Sequence, residues 1–214
     1  MARRRKDKAL QTRERILDAA IEVFHRRGVA RPSLTDVAEL AGVTRGAVYG
    51  HFENKADLFS ALCDRIRLPA ETITDADPTA CRADPLGELR DSWIFLLRQT
   101  ATNPQWRRIL DIIFHRCELV EETGQIRERM QAGHRNGQER LAELLRKAVS
   151  KGQLPADLDI DAAVPLLHGS LYGVLMAWLF QPEAYALAER AEHYVDAILD
   201  MLRLSPSLRR GGPA

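Results

Sequence analysis

Within seven positions the chain places a guanidinium, a phenol and an imidazole, at Arg45, Tyr49 and His51. Ala47, Val48 and Phe52 interleave with them at the spacing of a helix with an apolar inner face, which leaves the three polar side chains outside. Such groups donate hydrogen bonds; none is paired with a neighbour that would activate it for attack. An arginine fork matches the two acceptors on a guanine edge, so the chemistry implied is recognition of paired acceptors, not bond making.

Other combinations fall short of a reaction. The chain has no glycine-rich phosphate loop, no nucleophile elbow and no metalloprotease signature. His115, Cys117 and Glu118 form the nearest thing to a ligand cluster, but helix positions two apart diverge, so His115 and Cys117 do not share a metal. Cys117 is expected to face the core, with His115 and Glu118 making polar contacts. His168, alone on an apolar helix, reads either as a hydrogen-bonded core histidine or as a ligand contact. No catalytic residue, metal site or cofactor is implied.

The elements that must position Arg45 run from Ser33 to Lys55. Ser33 with Asp36 three residues on caps a helix whose apolar side is Leu34, Val37, Ala38 and Ala41, and Gly42 ends it. Thr44 caps a second helix, expected over Arg45 to His51 and about 10 Å long at ~1.5 Å per residue, comparable with a major groove about 12 Å wide. A steep crossing needs a small residue, a permissive turn and a bulky anchor, and Ala38, Gly42 and Val48 supply them in order. The alternative is an ordinary helical hairpin with a solvated polar face.

Charge favours the first of these. The net charge of +1 hides a division: residues 1–55 hold twelve Lys/Arg against seven Asp/Glu, leaving nineteen against twenty-three in the remainder. A basic front on a slightly acidic body suits a reader of polyanions with another module behind it. Residues 1–8 are a basic run, too charged to fold alone, that is either a solvated tail or a phosphate contact. They lack the apolar core of a signal peptide, so a cytoplasmic protein is expected. Cys63, Cys81 and Cys117 are odd in number and show no CxxC pair, which argues for reduced thiols.

The rest reads as helices. Leu17, Ala20, Ile21 and Phe24 line a first helix stopped at Gly28. Asn54 caps a helix carrying Leu58, Phe59, Leu62 and Ile66 inward, the mechanical link to the C-terminal part. Residues 68–84 read as a proline-bearing loop. Asp84-Pro85 and Asn103-Pro104 open two further helices, and a long polar helix runs to Lys151 with Gly152 as its stop. Residues 160–180 are apolar nearly all round; Asp161, Pro165, His168 and Ser170 argue for a buried helix and against a membrane span. Such a helix needs cover on several sides, part of which a second subunit could supply. Leu171, Leu175 and Trp178, with Val195, Ile198 and Leu202 of the last helix, are candidates for a shared interface or for plain core.

The run TRGAVYGHFENKADLF resembles the signature of TetR-family transcriptional regulators, and residues 9–66 resemble that family's DNA-binding domain throughout. FHRCELV, GQLPADLD and DMLRLSPSLRR are similar to the AcrR and TtgR branch, repressors of multidrug efflux pumps. The resemblance implies an all-α fold: an N-terminal three-helix domain with a helix-turn-helix at residues 9–54, and a C-terminal helical bundle at 55–210 for ligand binding and dimerisation. It implies contact with a double-stranded DNA operator at Ser33, Thr35, Thr44, Arg45, Gly46, Tyr49, His51 and Lys55, with Arg45 reading a base and Lys55 clamping phosphate. A small hydrophobic or aromatic effector would meet Ile66, Arg67, Leu89, Trp93, Leu96, Leu110, Phe114, Leu141, His168, Leu171, Tyr172, Leu175 and Met176. The wall departs from the TtgR pattern in being more apolar, at Leu110, Phe114, Tyr172 and Met176. A homodimeric repressor is therefore expected; an enzyme and an architectural DNA-binding protein are the competing classes.

Overall fold

The computed structural model describes residues 2–66, 84–118 and 123–211. Among them the regular elements are nine α-helices: α1 (Ala2–Arg27), α2 (Leu34–Ala41), α3 (Arg45–Tyr49), α4 (Lys55–Cys63), α5 (Pro85–Thr102), α6 (Pro104–His115), α7 (Gly124–Ser150), α8 (Ile160–Phe180) and α9 (Leu187–Leu204). Three-residue 3-10 helices follow α4 at Asp64–Ile66 and α9 at Pro206–Leu208. The expected loop at 68–84 lies outside the described residues except for Asp84, as do Arg67 and Cys81.

Two compact units form. The first takes Met1–Arg67 and Pro104–Gln131. Its core gathers Ile16, Leu17, Ala20 and Phe24 of α1 with Val37 of α2, Val48, Phe52, Leu58 and Leu62, and is completed by Ile109 and Ile112 of α6 and Ile126 of α7. A polar ladder registers α6 on α1: Gln105 donates to Asp18 at 3.2 Å, Arg108 to Glu22 at 3.1 Å, and His25 lies 3.3 Å from Asp111. Arg65 adds an ion pair with Asp18 at 2.7 Å. The basic run at residues 2–8 is not a separate segment. It continues α1 upstream, because arginine, lysine and alanine extend a helix already nucleated and anchored by its apolar face.

The second unit takes Leu68–Asn103 and Ala132–Ala214. Asp84 caps α5 by accepting from the Gly87 N–H at 2.8 Å, and Pro85 fills the first turn, as the sequence predicts. The guanidinium of Arg90 on α5 meets Asp196 on α9 in a fork, at 2.6 and 3.0 Å, while Arg98 reaches Glu192 at 2.6 Å. Tyr185 and Trp178 close the turn between α8 and α9: the phenol donates to the Val174 carbonyl at 2.6 Å and the indole to the Tyr185 carbonyl at 3.1 Å.

At roughly 100° per residue, α8 carries apolar residues on two opposite faces. Ala163, Val164, Leu167, Leu171, Leu175, Trp178 and Leu179 are buried within the unit. Opposite them, Leu166, Met176 and Phe180 are 43, 40 and 82% exposed, on a strip completed by Ala162, Gly169, Gly173 and Ala177. Of the two roles open from sequence for the apolar residues of α8 and α9, shared interface or plain core, burial favours core for the six named. Leu171, Leu175, Trp178, Val195, Ile198 and Leu202 are all buried inside the chain, since the stripe of α9 needs an apolar partner and finds it in its own unit.

Candidate functional site

The hairpin of α2 and α3 is built by local hydrogen bonds. Ser33 Oγ accepts from the Asp36 N–H at 3.3 Å, and the Asp36 carboxylate accepts in return from the Ser33 N–H at 2.8 Å and hydroxyl at 2.6 Å. Those two donors, with Arg27 at 2.7 Å, hold the Asp36 carboxyl down at about 2. At the other end Gly42 takes φ 62° and ψ 40°, a left-handed cap that a side chain would strain. Arg15 reaches that end from α1, donating to the carbonyls of Ala41 at 2.6 Å and Gly42 at 3.3 Å. Its charge also suits the negative end of the helix.

Thr44 caps α3 by accepting from the Ala47 N–H at 3.1 Å. Val48 and Phe52 are buried beneath it, and Ala38 makes room for the crossing. The helix is shorter than expected, ending at Tyr49 and not at His51. Gly50 and His51 close it in a tighter turn, the His51 N–H reaching back three residues to the Val48 carbonyl at 3.0 Å. Ser33, Thr35, Thr44, Arg45, Gly46 and Tyr49 are exposed; His51 and Lys55 are half-buried. The Arg45 guanidinium lies over the Tyr49 ring, 5.3 Å from its centroid, and donates to its hydroxyl at 3.4 Å. Guanidinium and phenol ring thus form one stacked pair.

Behind the hairpin, the Gly28–Pro32 loop is held from two sides. Lys55, the first residue of α4, donates to the Ala30 carbonyl and, at 3.0 Å, to that of Pro32. Glu118 accepts from the Val29 and Ala30 N–H groups at 3.2 Å each, and the Arg116 carbonyl accepts from Val29 at 2.9 Å. Burial works against ionisation of Glu118, but its backbone donors and the charge of Arg31 outweigh it, so the carboxyl sits below its ordinary value. Gly28, at φ 76°, lies so close that a Cβ would collide with this carboxylate. His115 bonds Asp111 at 2.9 Å. The polar roles expected for His115 and Glu118 thus hold, with partners that periodicity does not disclose. Cys117 is half-buried with its sulfur 3.6 Å from that of Met130, and burial pushes its thiol up to about 11 and that of Cys63 to about 12.

Of the expected effector wall, Ile66, Leu110 and Phe114 stand in the first unit, with Leu110 buried and the other two half-buried. In the second unit Leu89, Trp93, Leu96, Leu141, Leu171 and Leu175 are buried, His168 and Tyr172 half-buried, and Met176 exposed. His168 stacks on Tyr172 at 4.1 Å and takes the edge of His134 at 4.6 Å. Burial, then the proximity of the His134 imidazole, lowers its affinity for a proton. A cleft of about 560 Å³ in the first unit is lined by Arg26, Arg27, Arg31 and Arg116 with Asp36 and Glu118, and one of about 430 Å³ in the second by Arg90, Gln153, Asp196 and Arg203 among others. Both are polar, and neither includes an expected wall residue.

Sequence reasoning missed Glu118 as part of the reading hairpin's support, and Arg15 entirely. Gly28 carried a signal, since a glycine is needed there for more than the end of α1.

Known proteins match both halves. Residues 16–62 match the bacterial regulatory proteins of the tetR family, and residues 84–204 the C-terminal region of the MAATS-type transcriptional repressors. The HTH-type transcriptional regulator TtgR of Pseudomonas putida is 39% identical over 210 residues, 98% of this chain and all of its own. NalD, the secondary repressor of the MexAB-OprM multidrug efflux pump in Pseudomonas aeruginosa, superimposes with a TM-score of 0.81 at 34% identity, covering 92% of this chain and 98% of NalD. SmeT, the repressor of the Stenotrophomonas maltophilia efflux pump SmeDEF, matches in its triclosan complex with a TM-score of 0.80 at 33% identity, over 95% of this chain and 98% of SmeT. With a capped helix-turn-helix, helices throughout its described residues and relatives matched end to end, the chain belongs to the TetR family of bacterial transcriptional regulators.

Proposed function

We propose that the protein represses a multidrug efflux operon, sitting as a homodimer on a palindromic operator and leaving it when a small hydrophobic or aromatic compound binds. One observation carries the reading: α3 is capped, locked from within by Val48, and presents the stacked Arg45–Tyr49 pair to solvent. Arg45 reads a base edge, flanked by Gly46, Tyr49 and His51, while Ser33, Thr35, Thr44 and Lys55 hold phosphates. Residues 9–54 serve DNA, and residues 55–210 serve effector binding and pairing, in the cytoplasm.

The open strip of α8 supports the homodimer. Apolar side chains up to 82% exposed call for cover, and the small residues Gly169, Gly173 and Ala177 let a second helix approach closely. Two recognition helices on a two-fold axis then match a two-fold operator. For the effector, His168 and Tyr172 offer a flat aromatic surface beside Leu171 and Leu175, suited to lipophilic rings.

The test is selection and release. Wild-type protein should enrich a palindrome from a random-sequence duplex pool, and planar lipophilic compounds, triclosan among them, should dissociate that complex. His168→Ala and Tyr172→Ala should blunt the release. Enrichment of no palindrome, or indifference of the complex to every such compound, would sink the reading.

A further inference from the structure

The loop from Gly28 to Pro32 is the only covalent connection from α1 into the reading hairpin, and it leads straight into the Ser33 cap of α2. Backbone groups of Val29, Ala30 and Pro32 are bonded to protein. Lys55 holds the carbonyls of Ala30 and Pro32 on one side; Glu118 and the Arg116 carbonyl hold the N–H groups of Val29 and Ala30 on the other. Consecutive backbone N–H groups gathered on one carboxylate form an anion nest, and here the anion is a side chain of the protein itself. The carboxylate can seat there because residue 28 has no Cβ to exclude it. Glu118 closes the segment after α6, a helix registered along α1 by the ladder of Asp18, Glu22 and His25. The far end of α6 is thereby fastened to the root of the hairpin.

We propose that Glu118 is a positioning residue for operator recognition: by filling the nest at Val29 and Ala30 it fixes the α1–α2 loop and so the angle at which α3 is presented. The inference rests on the operator-binding reading and adds to it a residue remote from the reading face. Loss of the carboxylate leaves two loop donors to water and frees the loop on one side, while every side chain proposed to touch DNA is retained. Random duplex, held by phosphate contacts, tolerates a shift of the hairpin; a palindrome read by two helices in register does not.

The experiment uses the full chain, with Glu118→Ala and Glu118→Gln, against two probes: the palindrome enriched by wild type and a random duplex of equal length. Glu118→Ala should lose about tenfold or more in affinity for the palindrome while its affinity for random duplex stays within about twofold, and the Val29 and Ala30 amides should exchange faster. Glu118→Gln, which keeps one acceptor without the charge, should fall between. It carries the same comparison should the alanine variant fail to fold. Palindrome affinity unchanged, equal losses on both probes, or unaltered exchange at Val29 and Ala30 would overturn the assignment. If wild type enriches no palindrome the repressor reading fails and takes this inference with it; if wild type enriches one and the variants bind it normally, this inference alone fails.

Discussion

A guanidinium stacked on a ring of its own helix has less freedom to lose on docking than one that samples solvent. Arg45 over Tyr49 is such a pair, so the two should act together. Arg45→Ala should erase discrimination at one base pair of each half-site, about 1–3 kcal/mol, whereas Tyr49→Ala should weaken the whole operator with the base preference kept. Affinities for operators substituted one base pair at a time separate the two outcomes. Asp36 gives a residue-scale prediction in pH. Its carboxyl is lowered from 3.8 to about 2 in the folded chain, so it is the ionised form that folding favours. The capping box therefore stabilises fully above about pH 4 and is lost as pH falls through about 2. In acid titrations of folding, Ser33→Ala should flatten the curve over that window, and at neutral pH it should cost about 1 kcal/mol. Unchanged acid titration would remove the box from the account.

Among the elements, α8 divides what sequence can say from what it cannot. Four caps were legible, at Ser33, Thr44, Asn54 and Asp84, because a capping side chain and its donor lie within three residues of each other; Asp159, which caps α8 in the same way, went unread. Inner faces were legible too. Which apolar face meets the chain itself and which is left open was not, since both stripes of α8 lack charge and share the helical period. Glu118 was illegible for a related reason: its partners lie 88 and 89 positions away. Lys55 was expected on phosphate, and its contacts with the loop carbonyls depend on where α1 turns into α2, which no local pattern encodes. The two faces of α8 should respond oppositely to truncation. Leu171→Ala, inside, should cost about 2–5 kcal/mol of unfolding free energy. Phe180→Ser, outside, should leave that within about 0.5 kcal/mol but raise the dimer dissociation constant in sedimentation equilibrium.

For the molecule as a whole, charge follows the units of function. Residues 1–55 carry twelve Lys/Arg against seven Asp/Glu, and α1 takes in the basic run of residues 2–8. Removing residues 2–8 should make the slope of log affinity against log salt shallower by about 0.9 for each phosphate no longer neutralised, with base preferences intact. An unaltered slope would leave that run without a role on DNA. The open strip of α8 reaches further, into heredity. It lies between residues 162 and 180, downstream of everything that reads DNA. On the proposed pairing and the proposed role of Arg45, a missense change at Arg45 leaves that strip whole, so defective chains should go on pairing with normal ones in the same cell and spoil them, and such alleles should be dominant. On the same proposal, a stop codon ahead of Ile160 should abolish pairing along with the strip, and the allele should be recessive.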